Sequence, residues 1–469
     1  MARTSPVSPI SESKTLDQEV DGLLTGTSWA DHTISYSFPT SPSDYESNYT
    51  GNEPSKNFSS FGIIEQNAIK SVFDNISAVT TLKFQEFDGT SSKDAVIRMA
   101  KMDMSSEAFA YLPSTGPEGG DAWFSNSLFE SGSPVGVGTY RYADFLHELG
   151  HSVGLEHSFQ GGKYGSTPHD SLEYTVMSYS SYEGAKGWYA PEGDFPQTLM
   201  MYDIAALQYM YGANFATNSG NTVYQWNPIN GAVSVSDTSK GVTKVTTFDA
   251  PNTDTIFMTI WDGGGVDTYD FSNYRAKDSS GLIVDLRPGA WTTVSFNQLA
   301  DLDGSVGDIV AAGNIANSLA VRLPNGQTAN LIENVIGAET NDVIIGNDAA
   351  NRITGGGGSD TLTGLGGNDR FVFNTPPGTN NVDWITDFNV KDDTIELENK
   401  FFGHLKVGVL EQAAFHVGSA AHDNSDRIVY DQTTGAVYYD ADGTGTEAAV
   451  QFANLGTGLA VTNLDFFIV

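Results

Sequence analysis

Three histidines in one short segment have the spacing of metal ligands. In HELGHSVGLEH, residues 147–157, His147 and His151 are four positions apart, which places both imidazoles on one face of a helix. Gly154 lets the chain leave that helix, so that His157 can return as a third ligand. Three neutral imidazoles leave an open coordination position for water, which is the arrangement of a catalytic zinc site.

Glu148 follows the first of these histidines and lies on the neighbouring face of the predicted helix. From there its carboxylate can take a proton from metal-bound water and deliver it to a departing amine. Because zinc also polarises the scissile carbonyl, peptide hydrolysis needs no covalent intermediate. The pattern therefore predicts a zinc endopeptidase with Glu148 as general base. The remaining histidines lack such spacing and are expected to be ordinary surface or core residues: His32, His169, His404, His416 and His422.

Composition limits the class of protein. The 469 residues are too many for one ordinary hydrophobic core, so two domains are expected. Fifty-eight acidic against 23 basic residues give a net charge of -35, which disfavours binding to nucleic acid and to anionic membrane surfaces. With no cysteine, any metal must be held by histidine and oxygen ligands. There is neither a long apolar stretch for membrane insertion nor an N-terminal export signal of the basic-then-apolar type.

The elements that must position the zinc motif belong to a mixed α and β unit. Residues 1–18 are rich in Ser, Thr and Pro and are expected to be a leader or pro-segment, with the catalytic domain spanning 19–235. Strands are predicted in TISYSFP, TLKFQEF and AVIRMA, and helices in GIIEQNAIKSVFDNISAV, in residues 140–154 and in DIAALQYMYGAN, which Gly212 closes. The segment DAWFSNS, from Asp121, is predicted to be an exposed edge strand.

A repeat of period nine dominates residues 236–469, which are predicted to be all-β. It reads GAETNDVII, GNDAANRIT, GGGGSDTLT and GLGGNDRFV from Gly337 onward. Its sixth and eighth positions are occupied by Asp342, Asn351, Asp360 and Asp369 and by Ile344, Ile353, Leu362 and Phe371. Short strands that point one apolar residue inward and turn on glycine can stack into a two-sided coil with oxygen ligands at its corners. Such ligands suit calcium, on which folding should depend. A flexible linker would not keep this register.

The zinc motif, the turn YTVMSY and the repeat array together resemble the metzincin metalloproteases and, within them, the serralysin family of secreted bacterial proteases. By this resemblance Met177 underlies the zinc ligands, and Tyr179 can approach zinc and stabilise the oxyanion. The block from Asp203 to Asn214 is similar to a serralysin signature. DAWFSNS resembles the edge strand that pairs with substrate, which implies substrate-binding roles for Ala122 and Trp123.

The repeats resemble the RTX calcium-binding β-roll that follows the serralysin catalytic domain. The resemblance implies calcium ligands at the entrance of the roll, namely Asp262, Gly264, Asp267 and Glu333. It also implies calcium between alternate turns, pairing Asp342 with Asp360 and Asn351 with Asp369. The second repeat departs from the family pattern GGxGxD, as does the first with Glu339 and Thr340, so fewer or looser calcium sites are expected.

The resemblance implies a metzincin domain followed by a parallel β-roll with a β-sandwich-like cap. The final LDFFIV resembles a C-terminal export signal read by a type I (ABC) secretion apparatus. A secreted, extracellular monomer that binds Zn²⁺ and Ca²⁺ and acts with broad specificity on proteins and peptides is expected, with a small protein inhibitor as a further partner. Two other readings stay open: a calcium-binding RTX adhesive or surface protein with an inactive protease domain, and a zinc enzyme acting on another bond.

Overall fold

The computed structural model describes residues 7–9, 15, 17–129, 134–160, 165–237, 244–247, 254–275, 277, 280–305 and 309–469. The chain forms two compact units that are built from interleaved segments. The first takes its residues from Met1–Thr217, Asp249–Gly263 and Leu299–Leu319, and the second from Asn218–Phe248, Gly264–Gln298 and Ala320–Val469. Most of the predicted leader lies outside the described residues, and the domain ranges 19–235 and 236–469 stay predictions.

Four α-helices are described, and all lie in the first unit: α1 (Gln18–Asp21), α2 (Ile63–Val79), α3 (Tyr140–Ser152) and α4 (Met201–Tyr211). Short 3₁₀ helices occupy Pro42–Asp44, Thr50–Ser55, Gly89–Asp94, Asn126–Phe129, Phe296–Gln298, Gln412–Ala414 and Asn463–Asp465. None of the described helices combines the length and the apolar character needed to cross a membrane.

The strands, in chain order, are β1 (Val7–Pro9), β2 (Thr27–Trp29), β3 (Thr33–Ser37), β4 (Lys83–Glu86), β5 (Ile97–Met102), β6 (Ala108–Ala110), β7 (Ala122–Ser125), β8 (Thr222–Trp226), β9 (Val233–Asp237), β10 (Lys244–Thr247), β11 (Met258–Ile260), β12 (Thr268–Asp270), β13 (Ile283–Asp285), β14 (Trp291–Thr292), β15 (Ile315–Asn317), β16 (Asn334–Ile336), β17 (Val343–Asn347), β18 (Arg352–Thr354), β19 (Thr361–Leu365), β20 (Arg370–Phe373), β21 (Asp383–Ile385), β22 (Thr394–Leu397), β23 (Gly408–Val409), β24 (Phe415–Val417), β25 (Ile428–Tyr430), β26 (Ala436–Tyr439), β27 (Val450–Asn454) and β28 (Phe466–Ile468). The molecule is therefore mostly β.

The first unit contains a five-stranded sheet in the order β4-β3-β5-β7-β6. All neighbours pair in parallel except β6, which runs antiparallel to β7. The predicted strands TISYSFP, TLKFQEF and AVIRMA are β3, β4 and β5. The predicted helix of spaced apolar residues is α2, whose buried face carries Ile69, Val72, Phe73, Ile76 and Val79. These sequence predictions are confirmed.

Helix α3 carries the zinc motif and is almost wholly buried. It begins after Thr139, whose hydroxyl accepts the amide of Tyr142 as an N-cap. Helix α4 ends at Gly212, which has a φ of +77°, a backbone conformation that favours glycine. The predicted helix at 140–154 is thus confirmed with an end at Ser152, and the predicted helix stop at Gly212 is confirmed.

The predicted position of the edge strand is wrong. The segment around Ala122 and Trp123 forms β7, which pairs on one side with β5 and on the other with β6. Both side chains are completely buried, and the indole Nε1 of Trp123 donates to the hydroxyl of Tyr49 at 2.9 Å. The shortness of the run favours an edge strand, but the preceding strand β6 takes that outer position.

The second unit contains two sheets. One has the order β10-β9-β8-β12-β16-β18-β20-β22-β28-β23, and the other has the order β13-β17-β19-β21-β27-β26-β25-β24. The strands from β12 to β28 in the first sheet, and from β13 to β27 in the second, pair in parallel. Antiparallel strands extend both sheets beyond this parallel core, so the predicted cap continues the same two sheets.

Position eight of each repeat points into the space between the sheets. Ile353 and Phe371 lie in register on one sheet and Ile344 and Leu362 on the other, and all four are buried. Consecutive repeats therefore alternate between the sheets, and one full turn takes two repeats. This is the two-sided coil that the period of nine predicted, and its core is a stack of single apolar side chains.

Candidate metal centre

The three histidines of the motif converge. His147 and His151 project from α3 with ring centroids 4.8 Å apart, and the ring of His157 lies 5.1 Å and 4.4 Å from them. The Nε2 atoms of His151 and His157 are 3.0 Å apart. One nitrogen from each ring lies within 4.8 Å of the others, so the three side chains can hold one metal ion.

Hydrogen bonds to the backbone orient two of these rings. The Nδ1 atom of His147 lies 2.7 Å from the carbonyl oxygen of Val176, and Nδ1 of His151 lies 2.8 Å from that of Leu155. Because a carbonyl only accepts, each Nδ1 carries the proton, and each Nε2 keeps its lone pair for a metal. The buried Nε2 of His147 has no hydrogen-bond partner among the described residues.

The electrostatics of the cluster favour neutral imidazoles. Burial, followed by the neighbouring histidines, lowers the pKa of His147 well below its usual value. Burial also lowers the pKa of His151 to about 3 and that of His157 below its usual range. Neutral imidazole is the ligand form that zinc requires. The three residues therefore fit a divalent metal ion that prefers neutral imidazole ligands.

Glu148, which follows His147 on α3, is buried, and its Oε2 has no hydrogen-bond partner among the described residues. One helical turn earlier on α3, Asp144 is also buried, and its Oδ2 likewise has no hydrogen-bond partner among the described residues. Burial and then the charge of Asp144 raise the pKa of Glu148 well above its usual value, while burial and Glu107 raise that of Asp144 to about 8. A raised carboxyl pKa means that Glu148 takes up and holds a proton more readily than an exposed glutamate does.

The chain leaves α3 through Gly154, which has a φ of +108°. A Cβ at this position would lie 2.7 Å from the carbonyl oxygen of Thr27, so a side chain is excluded on two grounds. The amide of Glu156 then donates to the carbonyl of Leu23 at 2.9 Å, which holds the segment before His157 against the N-terminal part of the unit. These constraints fix the path that returns His157 to the helix.

Asp170 connects the segment of His157 to the turn that follows. Its Oδ1 accepts the hydroxyl of Ser158 at 2.5 Å and that of Ser178 at 2.6 Å. Ser158 is adjacent to His157, and Ser178 lies between Met177 and Tyr179. Asp170 is not among the predicted site residues, because nothing in its spacing from the histidines marks it.

Met177 lies beneath α3 and is fully buried. A Cβ on Gly150 would lie 2.7 Å from its Sδ, so the helix approaches the methionine as closely as a glycine allows. The turn is fixed from the other side by Asp203 of α4, which accepts the amides of Val176 and Met200, both at 2.9 Å, and the hydroxyl of Thr175 at 2.5 Å.

Tyr179 stands beside the histidine cluster and is half exposed. Its ring centroid lies 4.6 Å from that of His157 and 5.4 Å from that of His147. Partial burial and the charge of Glu148 raise the pKa of its phenol to about 12, so it is a proton donor. Two aromatic residues that were not predicted as site residues flank this group: Phe159 stacks on His157 at 5.0 Å, and Trp188 meets His147 edge-on at 5.9 Å.

The position-six residues of the repeats line the corners of the coil. The amide of Asp342 donates to Oδ1 of Asp360, and that of Asn351 donates to Oδ1 of Asp369, both at 2.8 Å. The structure thus brings together the two predicted pairs. Burial and neighbouring carboxyls raise the pKa of Asp360 to about 9, and its buried Oδ2 has no hydrogen-bond partner among the described residues. A divalent cation fits this carboxylate.

The four residues predicted at the entrance are distributed over both units. Asp262 is buried in the first unit, whereas Gly264, Asp267 and Glu333 belong to the second. The amide of Asp267 donates to Oε2 of Glu333 at 2.8 Å, and Gly264 has a φ of +118°. The structure brings Asp267 and Glu333 together.

Two further aspartates extend the corners and were missed. Asp383 accepts the amide of Asp360 at 3.1 Å, and Asp393 accepts that of Asp369 at 3.0 Å. Their distance from the previous turn exceeds the regular period, so the repeat count does not reach them. A shorter pattern, aspartate followed two residues later by an inward apolar residue, recurs in Asp383-Trp-Ile and Asp393-Thr-Ile and would have found both.

Comparison with known proteins identifies two family models in the chain. The model described as Peptidase M10 serralysin C terminal matches residues 213–467, more than half of the chain, and the model described as Peptidase M66 matches residues 57–256. The two matches together cover both the histidine motif and the β-roll.

Several curated proteins are similar over most of the chain. Metallopeptidase AprA of Pseudomonas marginalis is 35% identical over 69% of this chain and 67% of its own length. Metalloprotease AprA of Pseudomonas entomophila (strain L48) is 29% identical over 71% of this chain and 64% of its own length. Serralysin of Proteus mirabilis is 29% identical over 66% of this chain and 58% of its own length. The chain thus spans about three fifths of the length of these last two relatives. On the family match and the similarity to the Pseudomonas marginalis protein, the chain belongs to the serralysin family.

Proposed function

We propose that the first unit is a metzincin-type zinc endopeptidase that hydrolyses peptide bonds in proteins. The observation that carries the proposal is the convergence of His147, His151 and His157, with Glu148 buried directly after the first of them on α3. The names of the relatives, metalloprotease and metallopeptidase, support the same activity. A complete ligand set argues against an adhesive calcium protein with an inactive protease half.

The residues divide the chemistry among them. The three histidines hold the metal, and bound zinc supplies Lewis-acid polarisation of the carbonyl and acidification of water. Glu148 takes the proton of the attacking water and passes it to the leaving amine, a task that suits its raised pKa. Tyr179 donates its phenol hydrogen to the oxyanion, because its ring stands beside His147 and His157 and its pKa keeps it protonated.

Strand β6 is the proposed site of substrate pairing, in place of Ala122 and Trp123. It lies at the outer edge of the five-stranded sheet and packs next to α3. The hydroxyl of Tyr140, on α3, hydrogen-bonds to Glu107, directly before β6. A peptide that adds to such an edge is held through its main chain, which is consistent with broad specificity.

The second unit is proposed to bind calcium at the corners of its coil. Calcium supplies positive charge that stabilises buried carboxylates, and Asp342, Asp360 and Asp369 are the residues that need it. Asn351 contributes a neutral oxygen. Asp267 and Glu333 are further proposed ligands on the same side of the coil as Asn351. Asp262 and Gly264 remain proposed ligands at the entrance.

Secretion through a type I apparatus is also a proposal, based on the resemblance of LDFFIV to an export signal. In the folded chain these residues include β28, in which Phe466 and Ile468 are buried. The signal would therefore be read before the second unit folds. This order agrees with calcium-dependent folding outside the cell, where calcium is abundant.

The catalytic proposal is tested with Glu148→Gln. This substitution keeps the shape of the side chain and removes its basicity, so the variant should bind zinc like the parent and lose casein hydrolysis by about 10³-fold or more. Zinc is measured by elemental analysis, and Glu411→Gln, at an exposed position, is the matched control. Casein hydrolysis by Glu148→Gln at the parental rate would overturn the mechanism, and a parent without zinc or activity would favour the adhesive protein.

A further inference from the structure

A second group of metal-ligating side chains lies in the second unit, in the loop between β24 and β25. The nitrogen or oxygen ligand atoms of His422, Asp423 and Asp426 all lie within 4.8 Å of one another. We propose that this loop is a binding site for a divalent transition-metal ion, separate from the histidine site of the first unit and from the calcium corners of the coil.

Asp426 is the buried member of the group, with 5% of its surface exposed. Its Oδ2 accepts the amides of His422 at 2.6 Å and Asp423 at 2.9 Å, which fixes the carboxylate beneath the loop. No hydrogen bond reaches its Oδ1 from the described residues. Asp426 therefore keeps one carboxylate oxygen that can be offered to a cation, and among the described ion pairs none involves Asp426.

The nearest arginine does not supply that cation. Arg427 follows directly in sequence, but its guanidinium donates to two backbone carbonyl oxygens, those of Asn424 at 3.0 Å and of Asp426 at 2.6 Å. These bonds turn the guanidinium along the backbone and leave the carboxylate of Asp426 to another partner.

The two other members are exposed and therefore open to an ion from solution. The Nδ1 atom of His422 lies 3.8 Å from Oδ2 of Asp423, a separation that one ion can bridge. The other oxygen of Asp423 accepts the amide and hydroxyl of Ser425 at 2.7 Å and 2.5 Å, which fixes the orientation of the carboxylate. The second imidazole, of His416, stacks on His422 at 5.5 Å and restricts the rotation of its ring.

The ligand set determines the class of ion. Calcium and magnesium take oxygen ligands almost exclusively, whereas an imidazole with two carboxylates suits zinc, manganese, cobalt or nickel. The site would thus stay available to a transition metal in a protein saturated with calcium. Nothing in its placement involves the proposed peptidase chemistry, so the two proposals can fail independently.

The test uses the 469-residue chain carrying Glu148→Gln, which limits self-digestion. The protein is saturated with calcium and dialysed against Zn²⁺. We expect two bound zinc ions per chain by elemental analysis. His422→Ala should retain one, and Asp423→Asn, which preserves the turn around Ser425, should weaken the second by about tenfold or more. His404→Ala, another exposed histidine of the same unit, is the matched control and should retain two.

The outcomes separate the two sites. His147→Ala should lose only the zinc ion of the first unit. If the parent binds a single zinc ion and His147→Ala loses it, the peptidase proposal stands and the proposal of a site at His422 is overturned. Two zinc ions retained in both His422→Ala and Asp423→Asn would also overturn it. If a further excess of Ca²⁺ releases the second zinc ion, the assignment to transition metals is wrong.

Discussion

The Nδ1 atom of His147 lies 2.7 Å from the carbonyl oxygen of Val176, a residue 29 positions later in the chain. This bond joins the helix that carries His147 and His151 to the turn that carries Met177 and Tyr179. It selects the tautomer of His147 and orients its ring. The geometry of the site therefore depends on residues that hold the turn, as well as on the ligands themselves.

Asp203 is the first such residue, and its loss should damage the site from a distance. Asp203→Ala leaves the amides of Val176 and Met200 and the hydroxyl of Thr175 without their acceptor, which should cost about 3 kcal/mol of unfolding free energy. Zinc affinity should fall by about 10- to 100-fold, as for other residues behind metal ligands. Denaturant unfolding and zinc competition with a chromophoric chelator measure the two effects.

The control for this prediction is Asp203→Asn, whose amide oxygen can still accept one or two of the three hydrogen bonds. It should lie between the parent and Asp203→Ala in both measurements. Unchanged zinc affinity in Asp203→Ala would show that the turn keeps its position without the hydrogen bonds to Asp203.

Asp170 is the second positioning residue, because a single carboxylate oxygen joins the loop of His157 to the turn of Tyr179. Asp170→Ala should lower zinc affinity by about tenfold and reduce kcat more than it raises KM, since Tyr179 is expected to act on the transition state. Asp170→Asn retains an oxygen acceptor for both serine hydroxyls and should recover most of the activity. Equal losses in the two variants would contradict a role in positioning and would point to the negative charge.

The zinc motif and the coil were predictable because each uses a local rule. The spacing from His147 to His157 follows from helix geometry and one glycine, and the alternation of Ile344 and Ile353 between sheets follows from the period of nine. Both kinds of rule act within about twenty residues along the chain. They hold whatever the rest of the fold does.

The features that sequence reasoning missed depend on pairings between distant segments. Whether β7 lies inside its sheet depends on the antiparallel addition of β6, which no alternation within DAWFSNS records. The link between Asp170 and Ser158 depends on the path of a loop. Asp383 and Asp393 continue the coil after a change in spacing, which hides them from a search for a fixed period.

The contact between Gly150 and Met177 predicts a specific failure of packing. Gly150→Ala is favourable for helix propensity, but its Cβ would lie 2.7 Å from the sulfur of Met177. The methionine or the helix must move, which should cost about 1–3 kcal/mol of stability and displace the ligands on either side. The matched control is Gly378→Ala, where a Cβ meets nothing within 4 Å. The melting temperature and the zinc affinity should both change in Gly150→Ala. Neither should change in Gly378→Ala.

The buried aspartates of the coil make the stability of the calcium-free protein depend on pH. Burial raises the pKa to about 9 for Asp360 and to about 7 for Asp369 and Asp383, against about 4 in an unfolded chain. Between these values the folded chain binds more protons than the unfolded chain, so unfolding free energy falls as pH rises. In excess chelator, the melting temperature of the second unit should therefore decrease from pH 6 to pH 9.

Calcium should reverse this dependence, because it replaces the protons as the partner of the carboxylates and binds more tightly as they ionise. With calcium present, the melting temperature should stay level or rise over the same pH range. The control is Asp360→Asn, which removes the group with the highest pKa and should flatten the slope measured in chelator. A melting temperature that rises with pH in the calcium-free parent would contradict the assignment, because it would mean that these carboxylates are already stabilised as charges by the protein itself.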